Sequence, residues 1–147
     1  MAGIVELLWP LSARADRLGA MPLFDDFRWS ELEAVAALFE QFEVARGTRL
    51  TVQGRPDHRL WLIASGEALV SADARPLRVI GPGDAAGVPG MLYSIASPET
   101  TIALAAIRGL ATGVSQFEEL ASDDRIRRRL TALAGDQMRS RRLAKLR

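Results

Sequence analysis

From Val79 to Ile107 the chain reads VIGPGDAAGVPGMLYSIASPETTIALAAI. Gly81 and Gly83 supply turn conformations, and Gly87 lets backbone amides come close to a ligand at the start of a short helix, where their dipoles favour an anion. A phosphate cradle of that kind also needs a cation, best supplied by the planar fork of an arginine. These 29 residues contain no Lys, Arg or His. The backbone of an anion site is present and its charge is missing.

The other chemistry is electrostatic. Residues 125–147 hold nine basic groups, Arg125, Arg127, Arg128, Arg129, Arg139, Arg141, Arg142, Lys145 and Arg147, against one acid, Asp136. The remaining 124 residues hold ten basic and seventeen acidic groups, so an acidic body carries a basic tail. Such a tail fits nucleic acid, anionic lipid or an acidic protein surface, although no aromatic residue interleaves with it for base stacking. There are no cysteines, which excludes disulfides and thiolate metal sites. The single histidine, His58, lies beside Pro56, Asp57 and Arg59 in what reads as an exposed turn, and it makes no metal site alone. With no nucleophile–base pair, carboxylate dyad or P-loop, the sequence reads as a non-enzyme without metal or cofactor.

Positioning these residues takes a mixed set of elements. Ile4, Leu7, Leu8 and Leu11 fall at helical spacing, in a helix expected to bend or stop near Pro10. This N-terminus carries Glu6 and no basic leader, so it reads as neither signal peptide nor membrane span, and a cytoplasmic protein is expected. Ser30 followed by Glu33 predicts a capping box, with Leu32, Val35, Ala36 and Phe39 on the buried face of the helix it opens. Trp9, Trp29 and Trp61 read as core or groove-packing residues. From Phe42 the period shortens to two, and strands are predicted in FEV, RLTV, RLWLIAS, EALV, LRVI, TTIALAAI and GLATGV, separated by Gly/Pro turns. Two helices close the chain, SQFEELASDD and a longer one from Arg125 whose apolar stripe is Ile126, Leu130, Leu133 and Ala134. That stripe either packs on the body or pairs two chains as a homodimer through Ile126, Leu130 and Leu133; beyond Gly135 it loses phase.

This order of elements resembles the cyclic nucleotide-binding domain superfamily, the β-rolls of catabolite-activator-type regulators, protein kinase A regulatory subunits and some channels. The likeness covers roughly residues 18–140. It is carried by PLFDDFRWSELEAVAALFEQFEVARGTRL, by QGRPDHRLWLIASGEALV with its Ser-Gly-Glu, and by VIGPGDAAG at the entry to the phosphate-binding cassette. It implies an α+β fold: an antiparallel double-stranded, jelly-roll-like β-roll flanked by N-terminal helices and two C-terminal helices. The segments would be a helical 1–20, the roll at 21–122 and a basic helix at 123–147.

The resemblance also implies a ligand site and shows where this chain departs from it. The family's glutamate for the ribose hydroxyl falls on Val88, after Gly87, and its phosphate-binding arginine falls on Pro98. Glu99 follows, where a carboxylate would repel a phosphate, while Thr100 and Thr101 match the family's small and hydroxyl positions. Arg78 and Arg108, at the outer ends of the flanking strands, are expected to lie too far off to help. An unpartnered buried charge costs about 3–5 kcal/mol, so the affinity lost is on the order of a thousandfold. The expected function is a regulatory or protein-interaction module whose cassette is degenerate and closed by Val88, Pro89, Met91, Leu92, Tyr93 and Ile95. The alternatives are a sensor of a cyclic nucleotide or other small ligand that signals through the terminal helices, and a nucleic-acid accessory protein using the tail.

Overall fold

The computed structural model describes residues 8–145. Its architecture is α+β. Helix α1 (Leu11–Gly19), a 3-10 turn (Pro22–Phe24) and α2 (Trp29–Ala36) precede eight strands. The strands are β1 (Glu40–Val44), β2 (Arg49–Thr51), β3 (Leu60–Ser65), β4 (Ala68–Ala72), β5 (Arg75–Ile80), β6 (Ala85–Ala86), β7 (Thr100–Ala103) and β8 (Ile107–Thr112). The six-residue α3 (Val88–Tyr93) lies between β6 and β7, and α4 (Val114–Ala121) and α5 (Asp124–Lys145) end the chain. Two four-stranded antiparallel sheets, ordered β1-β8-β3-β6 and β2-β7-β4-β5, face each other as a roll. This is the predicted fold class.

Two apolar cores result. One lies inside the roll among Leu50, Ile63, Val70, Ile80 and Ile107. The other lies under the helices, where Ala15, Leu18 and Phe24 meet Leu60 and Leu110 of the strands and Phe117, Ile126, Leu130 and Ala134 of the C-terminal helices. The three predicted segments therefore share this second core.

Several local expectations change. Pro10 is the N-cap residue of α1 rather than its end, as suits a residue with no N–H to leave unpaired; Ile4 and Leu7 lie outside the described residues. The capping interaction sits two residues earlier than predicted: Glu31, not Glu33, accepts the N–H of Arg28 at 3.0 Å, and Ser30 lies inside α2. Phe39 is buried as expected, although α2 stops at Ala36. Leu104, Ala105 and Ala106 form a turn instead of extending β7. Gly66 and Gly83 have a positive φ and Gly81 does not. Trp29 is about half exposed, unlike the partly buried Trp9 and Trp61.

The apolar stripe of α5 packs back on its own chain. Ile126 and Leu130 are fully buried against it and Leu133 is half-buried.

Candidate functional site

The cassette is positioned by β6, α3 and β7. Gly87 turns the chain with φ +91°, and a Cβ there would stand 2.6 Å from the carbonyl oxygen of Arg59. The glycine is needed for close packing against the start of β3, and the neighbour it meets is a carbonyl, which repels an anion. Val88 is fully buried, and Pro89, Gly90 and Met91 are buried. Of the residues expected to close the cassette, Val88, Pro89 and Met91 are thus buried, whereas Tyr93 and Ile95 are exposed. Pro98 is buried, Glu99 is 5% exposed, Thr101 is buried and Thr100 half-buried.

Glu99 is not an isolated repulsive charge. The Arg78 fork donates to it twice, Nη2 to Oε1 at 2.7 Å and Nη1 to Oε2 at 3.2 Å. The expectation that Arg78 lies out of reach is wrong, and sheet register supplies the reason. Arg78 pairs with Val70, Val70 with Thr101, and Thr101 with Thr51, so four strands contribute to one row. Directly opposed residues of antiparallel strands share a face. Val70 and Thr101 point into the roll, and Arg78 points inward with them. Arg108, by contrast, pairs with Glu43 on the other sheet.

The hydroxyls of the site are also engaged within the chain. Thr51 Oγ1 donates to the Glu99 carbonyl at 3.0 Å and stands 2.9 Å from Thr101 Oγ1. Ser97 Oγ donates to the same carbonyl at 2.9 Å, and Thr100 Oγ1 accepts the Gln53 N–H at 2.9 Å. The hydroxyls of Thr100 and Thr101, at the family's small and hydroxyl positions, thus hold the loop to β2 and its turn.

Asp57 is the residue that sequence reasoning missed. The loop before β3 is stitched to the cassette through Ser97 N–H on Arg55 O at 2.8 Å and Gly54 N–H on Ser97 O at 2.9 Å. This lays Asp57 against Gly90, where a Cβ would fall 2.1 Å from Asp57 Oδ2. That oxygen is shut off from water and has no hydrogen-bond partner. Burial pushes the carboxyl up to about 6; the Ser97 hydroxyl opposes this, the Glu99 charge reinforces it and His58 opposes it. The neighbouring His58 is exposed, as predicted.

The basic residues of α5 divide into two groups. Arg125 bonds to Glu31 and lies 4.0 Å over the Phe27 ring. Arg129 donates to the carbonyls of Leu23 at 3.0 Å and Asp25 at 2.8 Å. Arg127 pairs with Asp124 at 2.5 Å, Arg128 donates to the Asp124 carbonyl at 3.3 Å, and Arg139 bonds to Asp136. Arg142 is exposed, Arg141 and Lys145 belong to the same helix, and Arg147 lies outside the described residues. Two of the nine predicted contact residues, Arg125 and Arg129, thus fasten the helix to its own domain, while Arg127, Arg128 and Arg139 bond within the helix.

Among the described residues no group of three or more His, Asp or Glu could hold a metal, and no helix is long and apolar enough to cross a membrane.

No protein-family model matches the sequence, and no curated protein matches it either. Solved structures do. A cAMP-bound PfPKA-R fragment superposes with TM-score 0.80 at 18% identity, over 90% of this chain and 45% of its own. A variant of the cAMP-binding acyltransferase from Mycobacterium smegmatis gives 0.66 at 27% identity, over 84% of this chain and 40% of its own. The regulatory subunit of a cAMP-independent protein kinase A from Trypanosoma brucei gives 0.63 at 15% identity, over 76% of this chain and 47% of its own. This chain thus spans less than half the length of each. With two facing sheets, a glycine-led helix between β6 and β7 and helices at both ends, it has the β-roll fold of cyclic nucleotide-binding domains.

Proposed function

We propose that this chain is a regulatory or protein-interaction module of the cyclic nucleotide-binding type whose cassette no longer takes a cyclic nucleotide. The observation that carries the reading is the Arg78–Glu99 pair. Arg78, a cation that does reach the cassette interior, has both arms on a carboxylate of the chain itself. A cyclic phosphate would have to displace that carboxylate, which is buried, and strand it without a partner. Val88 and Pro98 offer the sugar and phosphate neither an acceptor nor a cation. The Trypanosoma brucei neighbour supports the reading to this extent: a protein with this roll is described as part of a cAMP-independent kinase.

Output then rests on contacts with a protein partner rather than on catalysis. A chain without cysteines suits the cytoplasm, where thiols are kept reduced and disulfides are rare. Titration calorimetry with cyclic AMP and cyclic GMP tests the reading. Neither nucleotide should give saturable heat up to about 1 mM, given the thousandfold or so loss expected from micromolar affinity. Saturable binding in the micromolar range would overturn it.

The sensor reading finds support in a different place, the cavity beside Asp57 described below. The nucleic-acid reading retains Arg139, Arg141, Arg142, Lys145 and Arg147, since Arg125 and Arg129 are committed to the domain itself.

A further inference from the structure

A cavity of about 560 Å³ opens between α3, α4, the first turns of α5 and the loop at Pro56–Asp57. Met91, Leu92, Ile95, Val114 and Phe117 make much of its wall apolar. Its volume lies within the range of small-molecule sites, about 300–1,000 Å³.

Three charged side chains line it, Asp57, Glu118 and Arg127. Arg127 is held by Asp124 in an exposed ion pair, which leaves two carboxylates against one guanidinium on the wall. Asp57 Oδ2, against Gly90 at the edge of this space, is buried without a hydrogen-bond partner. A desolvated acceptor in that state carries a cost that a donor, above all a charged one, would remove. Two carboxylates against one exposed guanidinium, beside a largely apolar wall, favour a cation over an anion and give an apolar body a place to rest.

We propose that this cavity binds an organic cation, with its ammonium group on Asp57 and its apolar body against Met91, Leu92, Ile95 and Phe117. The site lies apart from the cassette interior, since none of Val88, Pro98, Glu99 or Thr101 lines it. The proposal holds whether or not the cassette accepts a nucleotide. Burial favours the protonated form of Asp57, and a bound ammonium would favour the ionised form again. Because α3, α4 and α5 all border the cavity, its occupant touches the cassette helix and the C-terminal helices at once.

Three probes with one fluorophore and different charges test this on the full chain: dansylcadaverine (cationic), dansylamide (neutral) and dansylglycine (anionic). Dansylcadaverine should bind saturably with blue-shifted emission, about tenfold or more tighter than the other two, as expected for a charge-assisted contact. Asp57→Asn keeps the shape and should bring its affinity down to that of dansylamide. Ala121→Phe, which fills the cavity, should weaken all three probes. Excess cyclic AMP should displace none of them. The proposal is overturned by equal or tighter binding of dansylglycine or dansylamide, by displacement with cyclic AMP, or by no saturable dansylcadaverine signal up to about 1 mM. Unchanged binding in folded Asp57→Asn would also overturn it, and if that variant does not fold, unchanged binding in Ala121→Phe does so.

Discussion

Arg78 and Glu99 form the pair on which the cassette turns, with side chains 23% and 7% exposed. Removing one partner from a buried pair is far more damaging than removing both, because the survivor keeps its desolvation cost. Arg78→Leu should therefore destabilise the domain by about 3 kcal/mol, at the low end for buried pairs because the arginine is partly exposed. The double change Arg78→Leu/Glu99→Leu should lie within about 1 kcal/mol of the parent, and urea denaturation of the parent, Arg78→Leu, Glu99→Leu and the double variant measures the coupling. Additive losses would mean that the two side chains act separately. At this scale the sequence was half legible. Val88 and Pro98 announce a missing acceptor and a missing cation by residue type alone. Arg78 was hidden because its reach depends on strand register, which places it in line with Val70 and Thr101 on β4 and β7. Asp57 was hidden for a similar reason, since Gly90, which it packs against, lies 33 positions further along the chain.

Helix α5 shows what an element adds. Its apolar stripe was readable from spacing, and Ile126, Leu130 and Ala134 are all buried. Which arginines fasten it was not readable, because the carbonyls that Arg129 holds belong to Leu23 and Asp25, more than a hundred residues earlier. Glu31 joins the clamp from α2; its carboxyl is held below the usual range first by the backbone N–H of Arg28 and then by the side chain of Arg125. Arg129→Ala loses two hydrogen bonds to carbonyls and should cost about 1–2 kcal/mol in urea denaturation. Amide exchange in residues 22–29 should speed up with it. Arg128→Ala removes only an exposed contact with the Asp124 carbonyl and should stay within about 0.5 kcal/mol of the parent. Equal losses in the two variants would dissolve the distinction between clamp and surface. The shifted capping residue belongs to the same scale: Ser30–Glu33 and Arg28–Glu31 both put an acid three positions after a helix start, and tertiary pairing of Glu31 with Arg125 favours the second.

For the molecule as a whole, helices and strands are one cooperative body. Ala15, Leu60, Phe117 and Leu130 come from four parts of the chain and share a core. The last residue of α5 known to be buried is Gln137, whose amide lies 3.4 Å from the Ala85 carbonyl. A chain ending at residue 140 should therefore keep its cooperative thermal transition within a few degrees, whereas one ending at 123 should lack it, because Ile126, Leu130 and Ala134 would be gone from the core. Circular dichroism melting curves compare the two directly. A folded, cooperative chain ending at 123 would show that the second core closes without α5. Seven of the eight strands and the flanking helices were legible from alternating periodicity, Gly/Pro turns and the two terminal helical patterns, and the roll from the family resemblance; β6, two residues long, has no period to read. How the segments join was not, since boundaries read from composition say nothing about shared packing.

The self-satisfied carboxylate also bears on history. Placing an arginine at position 98 by itself would hand Glu99 a second guanidinium, and the newcomer would be absorbed before any messenger could meet it. Eviction of the acid must come first, and that step alone leaves Arg78 stranded. On the proposed reading, a lineage that has taken this path meets a loss in fitness before any gain, and a closed cassette would work as an evolutionary ratchet.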